Sequence, residues 1–119
     1  MKNTTLISKA ILGWNPCEPD EFAKENFHKA GKKFLKELGN FLNLGNFEVK
    51  SNKGGIAVSG EVTLYSDILM IQVSADTSCF GNIMFRAVNG KKDYTGKGNN
   101  WCDIQNAQMK ISCFLSTLK

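Results

Sequence analysis

The chain has one histidine, one arginine and two prolines among 119 residues. A single His28 cannot supply a two-histidine metal site or a relay of imidazoles within one chain. The lone arginine, Arg86, leaves anion recognition to lysines, which meet phosphates as point charges and not as bidentate forks. Two prolines are too few for a proline-rich linker. Apolar runs are short, Ile68-Leu69-Met70-Ile71 being an example, whereas a bilayer-spanning helix needs about 20 residues. No membrane association is expected. The N-terminal apolar stretch is interrupted by Lys9, which argues against a secretory signal.

Cysteine is also sparse. Cys17, Cys79, Cys102 and Cys113 are separated by 62, 23 and 11 residues, so no C-x-x-C knuckle exists for zinc. The density is low for a disulfide scaffold, and reduced thiols in a cytoplasmic protein are the plainer expectation. No metal and no cofactor is expected.

Apolar residues make up 42% and charged residues 22%, the balance of a globular chain. The length fits one small domain spanning 1–119. The formal net charge is +4.

The first segment, 1–15, reads as an arm or a short helix. Pro19-Asp20-Glu21 is a helix start, with acids at the positive end of the dipole. From there the spacing predicts a helix over 20–43. Phe27, Ala30, Phe34, Leu38 and Phe41 recur at threes and fours on one face. Gly31 lies on that apolar side at a propensity cost of about 1 kcal/mol, which a close backbone approach would explain. Gly45 is the expected left-handed cap.

The period then changes to two. Four antiparallel strands are expected within 46–88, because short connections cannot support parallel crossovers. Ile56, Val58, Val62 and Leu64 share one parity and read as one strand. Ile71 and Val73, then Ile83 and Phe85, carry the inward positions of two more. The segment 89–101 is polar, glycine-rich and read mostly as a loop. At the C-terminus, Ala107, Met109, Ile111, Cys113 and Leu115 alternate as a strand would. Ile104, Ala107, Ile111, Phe114, Leu115 and Leu118 also make one helical face, and this longer template predicts a helix over 103–118.

The expected fold is therefore α+β: a four-stranded antiparallel meander sheet packed against a long N-terminal helix and a C-terminal helix. The expected core takes Phe27, Phe34, Leu38 and Phe41 from the helix. From the sheet it takes Ile56, Val58, Leu69, Ile71, Ile83 and Phe85.

Few residues invite a catalytic reading. His28 and Cys17 could pair only if the fold joins them, and a boundary histidine is usually structural. Glu48 and Glu61 could face each other across the first hairpin, but solvent-facing acids on a strand are the plainer reading. Gly96-Lys97-Gly98 lacks the Ser or Thr that a phosphate loop requires after its lysine. Asp93, Tyr94, Cys102 and His28 are the groups that an enzyme pocket would recruit.

Two surfaces stand out. Lys29, Lys32, Lys33 and Lys36 cluster opposite the apolar stripe of the long helix. The 89–101 loop carries Lys91, Lys92 and Lys97, with Tyr94 and Trp101 between and beside them. Lysines and exposed aromatics together suit single-stranded nucleic acid, and that reading requires the two groups to form one continuous surface. The leading expectation is a small non-catalytic interaction or regulatory protein with a protein partner or a second copy of itself. Nucleic-acid binding, and an enzyme or small-molecule binder with a helix–sheet pocket, are the alternatives.

Overall fold

A computed structural model describes residues 2–76, 81–93 and 98–118. Helix α1 spans Asn3–Gly13 and α2 spans Glu21–Phe41. Five strands follow: β1 Glu48–Asn52, β2 Glu61–Tyr65, β3 Leu69–Ser74, β4 Ile83–Ala87 and β5 Asn100–Cys102. A single 3-10 turn, Ile104–Asn106, leads into α3, Ala107–Thr117. The strands form one antiparallel sheet in the order β1-β2-β3-β4-β5.

The fold is α+β as expected, but the sheet has five strands and not four, and three helices accompany it. The extra strand is the end of the segment assigned to the loop. Phe85 pairs with Asn100, Met84 with Trp101 and Ile83 with Cys102. Three residues are too few to establish a period of two, so this strand exists because β4 offers an edge to pair with. The extra helix, α1, packs beside α2 and buries Ile7 and Ala10. The helix predicted over 20–43 is α2. Asp20 caps it, accepting from the amide of Phe22 through its side chain at 3.0 Å. The C-terminal helix is present too, starting later than expected because the 3-10 turn occupies its predicted beginning.

One face of the sheet is the core. Val62, Leu64, Ile71, Val73 and Ile83 are fully buried there, against Phe27, Phe34, Leu35 and Leu38 of α2. Helix α3 packs on the same face beside β4, with the Phe114 ring edge-on to Phe85 at 5.2 Å. At Gly31 α2 lies close against the sheet: a Cβ there would lie 2.8 Å from Cγ2 of Val62. The close approach expected of this glycine is real.

Three residues of the expected core are exposed. Ile56 and Val58 do not belong to β2, which begins at Glu61. Gly60, at φ +71°, turns the chain so tightly that a Cβ there would collide with the backbone of Asn52 and Lys53. The shared parity of Ile56, Val58, Val62 and Leu64 therefore crosses a turn and has no structural meaning. Phe41 ends α2 and is about half exposed, while Leu42, a full turn beyond Leu38, enters the core instead.

Candidate functional site

Strand alternation that sends Val62 and Leu64 inward sends Thr63 and Tyr65 to the opposite face. The register fixes rows across that outer face. Glu48, Tyr65, Met70 and Arg86 make one row, and Lys50, Thr63, Gln72, Met84 and Trp101 make the next. Among the described residues, all three helices pack on the inner face. Met70 and Thr63 are buried on this face, whereas Trp101 remains 43% exposed. The outer face thus combines aromatic, thioether and charged side chains of both signs.

Its two ends differ. At the β1–β2 end, the Lys92 ammonium sits 5.1 Å from the centre of the Tyr65 ring and 3.7 Å from Oε1 of Glu48. Each contact is worth about 0.5–1 kcal/mol at an exposed position. Together they draw the 89–93 turn, with Lys92 at φ +63°, toward the sheet. At the other end, Gln72, Ser74, Asp76, Asn82, Met84 and Trp101 border a cavity of about 180 Å³.

The rim of that cavity is held by a polar network that sequence reading missed. Asp76 Oδ1 accepts from the indole Nε1 of Trp14 at 2.9 Å. Asp76 Oδ2 accepts from the Ser59 amide at 2.8 Å and from the Ser59 hydroxyl at 3.0 Å. The same hydroxyl accepts from the amides of Ala75 and Asp76, both at 3.2 Å. Ser74 adds a hydroxyl 3.3 Å from that of Ser59, and Asn82 donates to the Ser74 carbonyl at 3.0 Å. No local pattern announces these bonds, because they join residues 17 and 62 positions apart.

His28 lies on the other side of Ser59. Its Nε2 is 2.8 Å from the Ser59 carbonyl oxygen, so Nε2 carries the proton and donates. Nδ1 is buried without a partner among the described residues. Burial holds the imidazole below its ordinary pKa of 6.5, opposed by the Ser59 carbonyl and aided by Lys53 and Lys24. Ser, His and Asp are therefore adjacent, yet the bonds run in the wrong order for a nucleophilic triad. The imidazole faces a carbonyl and not the hydroxyl, and Ser59 is fully buried.

The remaining sequence candidates separate. Cys17 is exposed in the segment between α1 and α2, and His28 is turned to Ser59, so the two do not form a catalytic couple. Cys102 is buried facing the core, and burial raises its thiol pKa to about 11. Cys113 is exposed, and Cys79 lies outside the described residues. Glu48 pairs with Tyr65 and Glu61 with Asn52, so the two acids stand at opposite ends of the hairpin and do not face each other. No group of three or more metal-ligating side chains occurs among the described residues. None of the described helices is long and apolar enough to cross a membrane.

Lys29, Lys32, Lys33 and Lys36 are all exposed on α2, on the helical side of the sheet. Lys92 and Trp101 belong to the opposite side, Lys91 is exposed beside Lys92, and Tyr94 and Lys97 lie outside the described residues. The described members of the two groups thus lie on two surfaces with the sheet between them. Sequence reading also missed Tyr65, Gln72, Met84 and Arg86 as surface candidates. Their signal was present: the outward parity of β2, β3 and β4 carries aromatic and thioether groups where a merely wetted face would carry charge.

No family model, curated protein or solved structure matches the chain.

Proposed function

We propose that the protein is a non-catalytic interaction module that docks a protein partner on the outer face of its sheet. The observation that carries this reading is the composition of that face. Tyr65, Met70, Met84, Arg86 and Trp101 belong to the residue types enriched at protein interfaces, where aromatic and Arg anchors carry most of the binding energy. Lysines and glutamates alternate around them, which suits a partner with charges of both signs. Arg86 donates to Oδ1 of Asn99 at 3.1 Å, and Lys92 is held over Tyr65, so part of the face is ordered before any partner arrives.

The test is a photo-crosslinking amino acid placed at Gln72 and, separately, at Lys36, in cells that make the protein. A discrete adduct from position 72 and none from position 36 is the expected result. An adduct of twice the chain mass identifies the partner as a second copy. An adduct from position 36 alone overturns the reading.

A second reading rests on a different observation. None of Lys29, Lys32, Lys33 and Lys36 makes an ion pair with a carboxylate among the described residues. Four ammonium groups on one helix face, none in a direct ion pair among the described residues, suit a single-stranded nucleic-acid backbone. Anisotropy of labelled RNA and DNA at low and high salt, with a Lys32→Glu/Lys33→Glu variant, tests it. Salt-sensitive binding that the variant loses supports this reading; no binding at micromolar protein ends it.

A further inference from the structure

The cavity at the β3–β4–β5 end of the outer face is built differently from the rest of that face. Among the described residues its walls hold no lysine or arginine to neutralise a phosphate or a carboxylate ligand. Its polar side chains are amides, a hydroxyl and one carboxylate. The Gln72 amide makes no hydrogen bond to another described side chain or backbone group, so both its oxygen and its nitrogen are open to a ligand. Asn82 uses its nitrogen on Ser74 and keeps its amide oxygen. Asp76 Oδ1 has accepted one proton from Trp14 and has a second lone pair. The remaining walls are the Met84 side chain and the Trp101 indole.

We infer that this cavity binds a single neutral sugar ring. Hydroxyl groups donate and accept at once, and side-chain amides are the protein groups that answer both roles. An indole and a thioether supply the apolar surface that the C–H face of a pyranose requires. At about 180 Å³ the cavity lies below the roughly 300 Å³ where pockets for drug-sized ligands begin, so it suits one ring and not a chain of them. The site is also prepared in advance. Trp14 and Ser59 hold Asp76, and Asn82 is tied to Ser74, so these parts of the polar wall are fixed before binding.

This inference goes beyond the docking proposal and does not depend on it, since a free sugar needs no docked protein. The experiment is a two-dimensional amide NMR titration of the intact chain with glucose, galactose, mannose and N-acetylglucosamine, each to about 20 mM, a range that captures millimolar affinities. Adenosine and inorganic phosphate are parallel arms. The expected result is saturable movement of the Gln72 and Asn82 side-chain amides and the Trp101 indole signal with at least one sugar. Gln72→Ala and Trp101→Ala should each weaken that sugar about fivefold or more, a loss of roughly one hydrogen bond or one stacking contact. Lys32→Ala on α2 should leave it unchanged. Unchanged signal dispersion shows that a variant is folded, and Gln72→Ala alone decides the matter if Trp101→Ala is not. Movement with adenosine or phosphate only, with no probe, or equally in wild type and Gln72→Ala overturns the inference. A crosslinked protein at position 72 without sugar-dependent shifts overturns the sugar site and leaves the docking proposal standing.

Discussion

Trp14 at the end of α1 donates its indole proton to Asp76 at the end of β3, across 62 residues of sequence. This bond, with the two that Ser59 gives the same carboxylate, ties the N-terminal helix, the β1–β2 connection and the sheet at one point.

Removing the carboxylate leaves the Trp14 N–H and the Ser59 amide without their acceptor, while the Ser59 hydroxyl keeps the Gly60 carbonyl at 2.8 Å. Asp76→Ala should therefore destabilise the fold by about 2–3 kcal/mol, the cost of unsatisfied donors at a largely buried point. Trp14→Phe, which removes one donor and keeps the ring, should cost less. The midpoints of urea unfolding followed by far-UV circular dichroism measure both.

His28 makes stability depend on pH in a stated direction. The folded imidazole resists protonation and the unfolded one has its ordinary pKa, so between the two values the unfolded state binds more protons. The contribution is complete above about pH 6.5 and is lost as pH falls below it toward the lower folded value. The exposed Glu25, held below its ordinary 4.5 by its bond to Lys53, acts only in more acid solution. Urea midpoints at pH 7.5 and 5.5 should thus fall with acid in the wild type. In His28→Gln the fall across this window should be smaller.

Two glycine-to-alanine changes in helices should have opposite signs. Gly31→Ala gains up to about 1 kcal/mol of helix propensity but drives a methyl into Val62, and overpacking a filled core costs about 1–3 kcal/mol. Net destabilisation is expected. Gly13→Ala, with open space where the methyl would go, should be neutral or slightly stabilising. Thermal unfolding of the pair checks both.

Cysteine reactivity should follow burial. Cys17 and Cys113 are exposed and should alkylate readily with iodoacetamide near pH 8. Cys102, buried and with its thiol pKa raised to about 11, should stay unmodified until denaturant is added. Peptide mass spectrometry of timed samples reads each site separately.

Much of the fold was legible where a long element imposed its own period. The α2 stripe of Phe27, Phe34 and Leu38 and the reason for Gly31 follow from helical geometry over many turns, whereas the left-handed residue that caps α2 is Asn43, at φ 55°, and not the expected Gly45, which lies further on. The failures occur where tertiary structure overrides a short pattern. Ile56 and Val58 matched the parity of β2, but they lie in the turn between β1 and β2, and Gly60, at φ +71°, breaks the extended chain between them and Val62. Strand β5 is three residues long and owes its existence to the edge of β4. The candidate surface was half visible: Trp101 and the loop lysines drew attention, while the Gln72–Met84 row emerged only with the register. The Asp76 hub was invisible, because nothing near Asp76 in sequence names Trp14 as its donor.

The order of the strands in the sheet has a consequence for synthesis. Every strand pairs with the one made just before it, so each hairpin closes a short loop soon after it leaves the ribosome. The seam between α1 and the 3-10 turn is the exception, since Gln105 donates to Ser8 across 97 residues. Helix α1 is made well before Gln105, and the seam cannot form until the sheet and the 3-10 turn have followed it. During this interval part of its apolar surface remains uncovered, and the nascent chain is most open there to chaperones and to misassembly.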